Sequence, residues 1–384
     1  MIDESESLLN LDLSKKQKTI MIWRIISVFL LIALAVIVIL YALGVGWKKE
    51  EEKEEEEKNY ESILSLWQPG STVITKLIPY IKSITNKNNQ DFIPVEDRIA
   101  VFDLDGTLFC ETDPIYFDWN MFAYRILDDP VYNKTANQSD IDLANRIRNA
   151  SIHNLPAGLE KEHCVRNAAV FKGMSMEEYV NYTKNFLNAD SPGYNNLKRK
   201  DAFYKPMLQV IEYLQKYEFT VYIVSGTDRF EVRTIVQGHV NIPESQIIGS
   251  ISTIRSTNQG DKEGIDYQFE KNDSVVLGGE FIIKNVKMNK ISTIQTEIGK
   301  KPVLSFGNSS GDKSMSNYVV YNNPYKSLAF MLLCDDTKRE NGDTTRADNM
   351  KKMCDDYNWQ PISMANDWKT IYGDNVEKRI PTYY

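Results

Sequence analysis

Histidine and cysteine are scarce in this sequence, with three of the first and four of the second among 384 residues. His153, His163 and His239 are scattered, so a hydrolase built on a histidine base has no support and packing or surface roles are expected. Cys110, Cys164, Cys334 and Cys354 show neither C-x-x-C spacing nor a histidine pattern suited to zinc. Cys334 and Cys354 could pair in an oxidising compartment, with two free thiols as the alternative. A basic excess is also missing. The net charge of -8 and pI near 5.2 argue against a nucleic-acid partner. Most of that acidity lies between Glu50 and Lys58, where seven glutamates meet two lysines. The rest is near balance, and charge says little about a substrate. No internal repeat or extended low-complexity tract is present.

What is present first is a long apolar run. Ile25 to Trp47 contains no charged residue, and its 23 positions cover a hydrocarbon core of roughly 30 Å at helical rise. We expect a disordered tail over 1–19, a transmembrane anchor over 20–47 and a charged linker or helical stalk over 48–59. A cleaved signal peptide would have a shorter core, and Ala42-Leu43-Gly44 is a weak cleavage site, so the anchor is expected to stay. Lys15, Lys16, Lys18 and Arg24 precede the run while Lys48, Lys49, Lys53 and Lys58 follow it, so positive charge does not orient the span. The expectation is a single-pass membrane protein with its large domain on the extracytoplasmic side, the cytoplasmic face being the alternative.

The globular part begins near Tyr60, with apolar residues at helical intervals broken at Pro69-Gly70. Three short apolar runs then end in polar or glycine-rich turns. Arg98–Phe102 runs into Asp103, Phe219–Val224 into Ser225-Gly226, and Pro302–Phe306 into Gly307-Asn308. Each is too short for a helix and too continuously apolar for a half-exposed strand. Helical patterns such as Met207–Tyr217 and Ile291–Ile298 flank them, which predicts a parallel sheet covered on both faces. Ligands bind at the carboxyl ends of such strands, where all three turns fall.

Asp103 and Asp105 straddle the first strand end. A carboxylate can attack phosphorus once its charge is offset, and a second can protonate the leaving oxygen and then activate water. Close carboxylates have their pKa values pushed apart, which suits that division of labour. Gly106 permits a sharp turn and Thr107 can fix the loop by hydrogen bonding.

Asp103-Leu104-Asp105-Gly106-Thr107 resembles the first motif of the haloacid-dehalogenase superfamily, in its phosphatase branch because of Asp105. The resemblance implies an α/β fold: a Rossmann-like parallel-sheet core with a mainly helical cap inserted after the first motif. It implies Asp103 as nucleophile and Asp105 as general acid/base, through an aspartyl-phosphate. Ser225-Gly226 resembles the second motif and, with Thr107, would hold phosphate oxygens. The third motif is one lysine, with Lys284, Lys287 and Lys290 as candidates and Lys290 preferred because a helical pattern follows it. The fourth is similar to Gly307-Asn308-Ser309-Ser310-Gly311-Asp312, which has Asn308 where many relatives have Asp. Mg²⁺ would be held by Asp103, the backbone carbonyl of Asp105, and Asn308 or Asp312, the last directly or through water.

Much of 65–375, with 93–111, 172–187, 203–225 and 302–312 nearest, is similar to a bacterial subgroup close to phosphoserine phosphatase. The core would begin over 60–109, the cap would span 110–202, and 203–384 would complete the core, with a β insertion at 250–289. Glu111, Arg125, Arg166 and Lys172 are cap-side polar candidates. The implied activity is hydrolysis of a small phosphorylated metabolite. A phosphotransferase using the same intermediate and a non-catalytic membrane-tethered binding protein are the alternatives.

Overall fold

The computed structural model describes residues 3–150 and 152–381. The chain divides into two units, Met1–Ser62 and Ile63–Tyr384. The first is a single helix, α1, over Asp3–Ser62. Within it the 26 residues of Lys16–Tyr41 have a mean hydropathy of 2.8 and are long and apolar enough to cross a membrane. Apolar side chains point outward all round, Phe29 and Leu30 among them, a surface that water solvates poorly and lipid accepts. Where the 1–19 stretch is described, from Asp3 to Thr19, its backbone is part of α1. No glycine or proline occurs before Gly44, so a helix nucleated in the apolar run meets no breaker as it propagates. The stretch 48–59 is helical as well, as glutamate and lysine favour.

Among the described residues the second unit contains nine strands: β1 (Ile99–Phe102), β2 (Tyr194–Asn195), β3 (Thr220–Asp228), β4 (Ile247–Ser256), β5 (Val275–Ile283), β6 (Leu304–Gly307), β7 (Leu328–Leu333), β8 (Gln360–Ser363) and β9 (Glu377–Lys378). Seven form one sheet in the order β5-β4-β3-β1-β6-β7-β8, and β2 pairs with β9 apart from it. Every pairing in the large sheet is parallel except β4 with β5. That antiparallel hairpin occupies most of 250–289.

All four residues of β1 and all four of β6 are buried, as central strands covered on both faces must be. Alternation sends Val101 to one face, where it packs with Val224, Ile248, Ile294, Met315 and Val319. Phe102 goes to the other and stacks on Phe306, which stacks on Phe330, with centroids 4.3 and 4.9 Å apart.

The helix α2 (Ile78–Thr85) leads toward β1. Between β1 and β3 lie α3 (Phe117–Leu127), α4 (Gln138–Arg148), α5 (Leu159–Val170) and α6 (Met176–Leu187), followed by α7 (Lys205–Lys216) against the sheet. The fold is therefore α/β with a Rossmann-like core and a helical cap after the first motif. Asn137 caps α4 and a Ser175–Glu178 capping box starts α6. The cap fastens itself with two of the polar candidates. Arg125 donates to the Val170 carbonyl at 2.9 Å and lies over the rings of Tyr132, Phe171 and Tyr182. Arg166 forks onto Asp140 at 2.5 and 2.8 Å. Lys172 is exposed beside Gly279. The helices α8 (Arg229–Val236), α9 (Met288–Thr293), α10 (Lys313–Val320), α11 (Thr344–Tyr357) and α12 (Met364–Asp367) follow β3, β5, β6, β7 and β8 in turn. Cys334 and Cys354 are both free thiols, as are Cys110 and Cys164.

Candidate active site

β1 lies between β3 and β6, with Phe102 level with Ile223 on one side and Phe306 on the other. Asp103 is the next residue out, and Ser225 and Asn308 stand one step beyond its neighbours. The chain goes from β1 to β3 and β4, then returns to β6 on the opposite side, so a crevice opens above this switch point.

Asp103 is held by its own backbone, whose N–H donates to the Phe306 carbonyl at 2.9 Å. Its Oδ1 accepts from Lys290 Nζ at 2.5 Å, and the same ammonium donates to Asp312 Oδ1 at 2.6 Å. Lys290 is buried in α9, whereas Lys287 is exposed and Lys284 is half-buried at the end of β5. The geometry thus selects Lys290 as the partner of Asp103. The other oxygen of Asp312 accepts from Asn308 N–H, Ser309 N–H and the Ser309 hydroxyl, at 3.1, 3.0 and 3.1 Å. Both Asp312 oxygens are therefore engaged within the protein.

The turn after the second apolar run is tied from outside. Asn285 Nδ2 donates to the Ser225 carbonyl at 3.0 Å, and the Ser250 hydroxyl to the Gly226 carbonyl at 2.6 Å. Ser225 Oγ accepts from the Thr227 N–H at 3.1 Å, which leaves its own proton to donate. The Thr227 hydroxyl donates to Asp105 Oδ2 at 2.8 Å, and Asp105 Oδ1 is buried with no hydrogen-bond partner.

Gly106 has φ +76°, and a Cβ there would stand 1.9 Å from Asn308 Nδ2 and 2.6 Å from Glu111 Cδ. Glycine is required both by the backbone and by that close approach. Thr107 is fully buried, with its hydroxyl 3.5 Å from both Asp103 Oδ2 and Asn308 Oδ1. The Asn308 amide and the Glu111 carboxyl both stand against Gly106, and Glu111 lies 3.7 Å from Arg346. Burial pushes Glu111 up to about 7, with Arg346 pulling against it. Burial, then Asp312, pushes Asp103 upward, while Lys290 opposes both. Asp105 stands well above the usual carboxylate range because of burial, with Asp118 and Asp103 adding repulsion.

These groups open into a cavity of about 110 Å³. Asp103, Asp105, Gly226, Lys290 and Asp312 form its floor, and Tyr116, Asp118, Trp119, Leu155 and Glu160 line it from the cap. Thr107, Ser225 and Asn308 are not among the residues that line it. Glu111 reaches the cavity, while Arg125, Arg166 and Lys172 do not. Sequence reasoning passed over Thr227, yet two polar residues two apart at a strand end share one face of the sheet, a signal that was available. It also passed over the cap wall, where nothing local marks Asp118 or Trp119.

Among the described residues, no group of three or more His, Cys, Asp or Glu is arranged to hold a metal. A cation here would draw on the Asp103 carboxylate, the Asn308 amide oxygen and a backbone carbonyl. That all-oxygen donor set fits a hard divalent ion such as Mg²⁺.

No family model matches the chain, and no curated protein does so. Solved structures similar to it include a conserved functionally unknown protein from Anaerococcus prevotii DSM 20548, at 13% identity over 78% of this chain and 95% of that one, TM-score 0.46. They also include cytosolic 5'-nucleotidase IIIB bound to cytidine, at 14% identity over 77% and 88% of the two chains, TM-score 0.46. A third is a phosphoserine phosphohydrolase-like protein from Francisella tularensis subsp. tularensis SCHU S4, at 11% identity over 62% and 87%, TM-score 0.34.

Proposed function

We propose that this chain is a membrane-anchored phosphomonoesterase of the haloacid-dehalogenase type, acting on a small phosphorylated metabolite. The observation that carries the reading is the closed cluster on the cavity floor: Asp103 paired to Lys290 at 2.5 Å, with Asp105 turned toward the same cavity. Asp103 attacks phosphorus and its oxygen forms the aspartyl-phosphate as the ester bond breaks. Asp105, kept protonated by burial, gives its proton to the leaving oxygen and takes one back from the water that opens the intermediate. Lys290 offsets the charge gathered on Asp103 and the phosphate, and Ser225, Gly226 and Thr107 hold the phosphate oxygens or the loop that meets them.

Asp103, the Asp105 carbonyl and Asn308 would hold Mg²⁺, which would supply charge neutralisation for the phosphate. We assign Asp312 to Lys290, with any contact to the cation made through water, because its oxygens already have donors. The cap would exclude water, and a cavity of about 110 Å³ favours a small substrate. The anchor would hold the domain at the extracytoplasmic face.

Hydrolysis of p-nitrophenyl phosphate by the purified chain, with and without Mg²⁺, tests this reading. Activity is expected only with the cation, and Asp103→Asn is expected to abolish it. Turnover that persists in Asp103→Asn would sink the mechanism.

A further inference from the structure

Asp105 has two oxygens in different situations. Oδ2 accepts from the Thr227 hydroxyl at 2.8 Å, whereas Oδ1 is buried and has no hydrogen-bond partner. Thr227 is itself buried, lines the cavity, and donates its backbone N–H to Ser225 Oγ at 3.1 Å. One residue thus grips both the general acid/base and the serine of the phosphate-binding turn.

We infer that Thr227 is a positioning residue that fixes the Asp105 carboxyl so that its proton rides on Oδ1, the oxygen that no protein group engages. The inference rests on the phosphomonoesterase reading above. An O–H donor on Oδ2 leaves Oδ1 as the place for a carboxylic proton. In the first half-reaction an Asp103 oxygen bonds to phosphorus and the ester P–O bond breaks. The bond's electron pair goes to the leaving oxygen, which takes the proton from Asp105 Oδ1. In the second, a water oxygen bonds to phosphorus, its proton passes to Asp105 Oδ1, and the Asp103–phosphorus bond breaks. Without the Thr227 hydroxyl, the carboxyl can rotate about its Cβ–Cγ bond and present either oxygen.

A buried threonine can also serve packing alone, and leaving-group dependence separates the two roles. An alkyl alcohol needs a proton as it departs, whereas p-nitrophenolate does not. The full-length chain in detergent is assayed for kcat/KM on p-nitrophenyl phosphate and on n-butyl phosphate, since this ratio reports the half-reaction in which the leaving group departs. Thr227→Val is expected to lower kcat/KM for n-butyl phosphate about 100-fold and for p-nitrophenyl phosphate less than about 5-fold. Asp105→Asn should show the same selectivity, more steeply. Thr227→Ser, which restores the hydroxyl, should recover both substrates to within about 3-fold of wild type. Equal losses on the two substrates, or a Thr227→Ser chain that melts like wild type yet stays as impaired as Thr227→Val, would overturn the assignment. If Thr227→Val does not melt cooperatively, Thr227→Ala takes its place with the same expectations. A wild-type chain that hydrolyses neither substrate overturns the phosphatase reading itself and this inference with it.

Discussion

Lys290 Nζ stands 2.5 Å from Asp103 Oδ1 and 2.6 Å from Asp312 Oδ1, so one buried ammonium serves two buried carboxylates. Such a triad is costly to desolvate, and removing its centre is more costly than never having built it. Lys290→Met should therefore lower stability by about 3 kcal/mol in urea titration. The double variant Lys290→Met/Asp312→Asn should be more stable than the single one, because one unpaired charge has gone. Additive losses would show that the three groups are not coupled. Phosphatase activity should fall by about 100-fold or more in both.

Gly106 provides a sharper geometric test. A methyl group there meets the Asn308 amide at 1.9 Å on a backbone with φ +76°. Gly106→Ala is expected to cost about 1–3 kcal/mol, since strain and collision act together. Asn308 must move to make room, so activity should be lost even at temperatures where the variant remains folded by circular dichroism.

Asn308→Asp places a carboxylate beside the buried Glu111, whose carboxyl stands with the present amide against Gly106. Without a cation the two negative groups repel, and the variant should melt below wild type in EDTA. Millimolar Mg²⁺ should raise its melting temperature by more than it raises that of wild type, because the added charge strengthens the donor set. Identical Mg²⁺ shifts would remove Asn308 from the cation site.

His163 is 1% exposed and wedged between Trp119 and Phe122, with ring centroids 4.8 and 5.5 Å away. Burial holds its pKa well below the ordinary value, with Lys284 adding to the effect. The unfolded chain therefore binds a proton near pH 6.5 that the folded chain refuses. Stability linked to this group is present above that pH and is lost as pH falls below it, by about 1.4 kcal/mol per unit. His163→Phe should flatten this component. The difference between the two stability curves is expected to open below about pH 6.5 and to vanish in slope above it.

The apolar part of α1 predicts a behaviour in cells. The full chain should stay with the membrane pellet through alkaline carbonate washing, and a chain starting at Ile63 should not. In intact cells, added protease should reach the catalytic unit. Protection until lysis would place it on the cytoplasmic face.

Much of the core was legible because its signals are local. Ile99–Phe102 and Leu304–Gly307 are apolar at every position, which only a strand buried on both faces tolerates. The polar turn at the end of each marked the site. The cap wall was not legible. Asp118 and Trp119 sit on an ordinary amphipathic helix, and only the folding of α3 over the strand ends brings them to the cavity.

The sequence by itself determined the candidate groups: two aspartates two residues apart after a buried strand, a lysine before a helix, and an amide where a carboxylate is common. These are properties of residue type and spacing, which the chain carries whether folded or not. Only the tertiary structure decided which lysine of three pairs with Asp103, that Asp312 spends its oxygens on Lys290 and its own loop, and that Thr227 grips Asp105. Those choices depend on distances of about 3 Å between residues as many as 187 positions apart, and register across a sheet sets such distances where sequence spacing cannot.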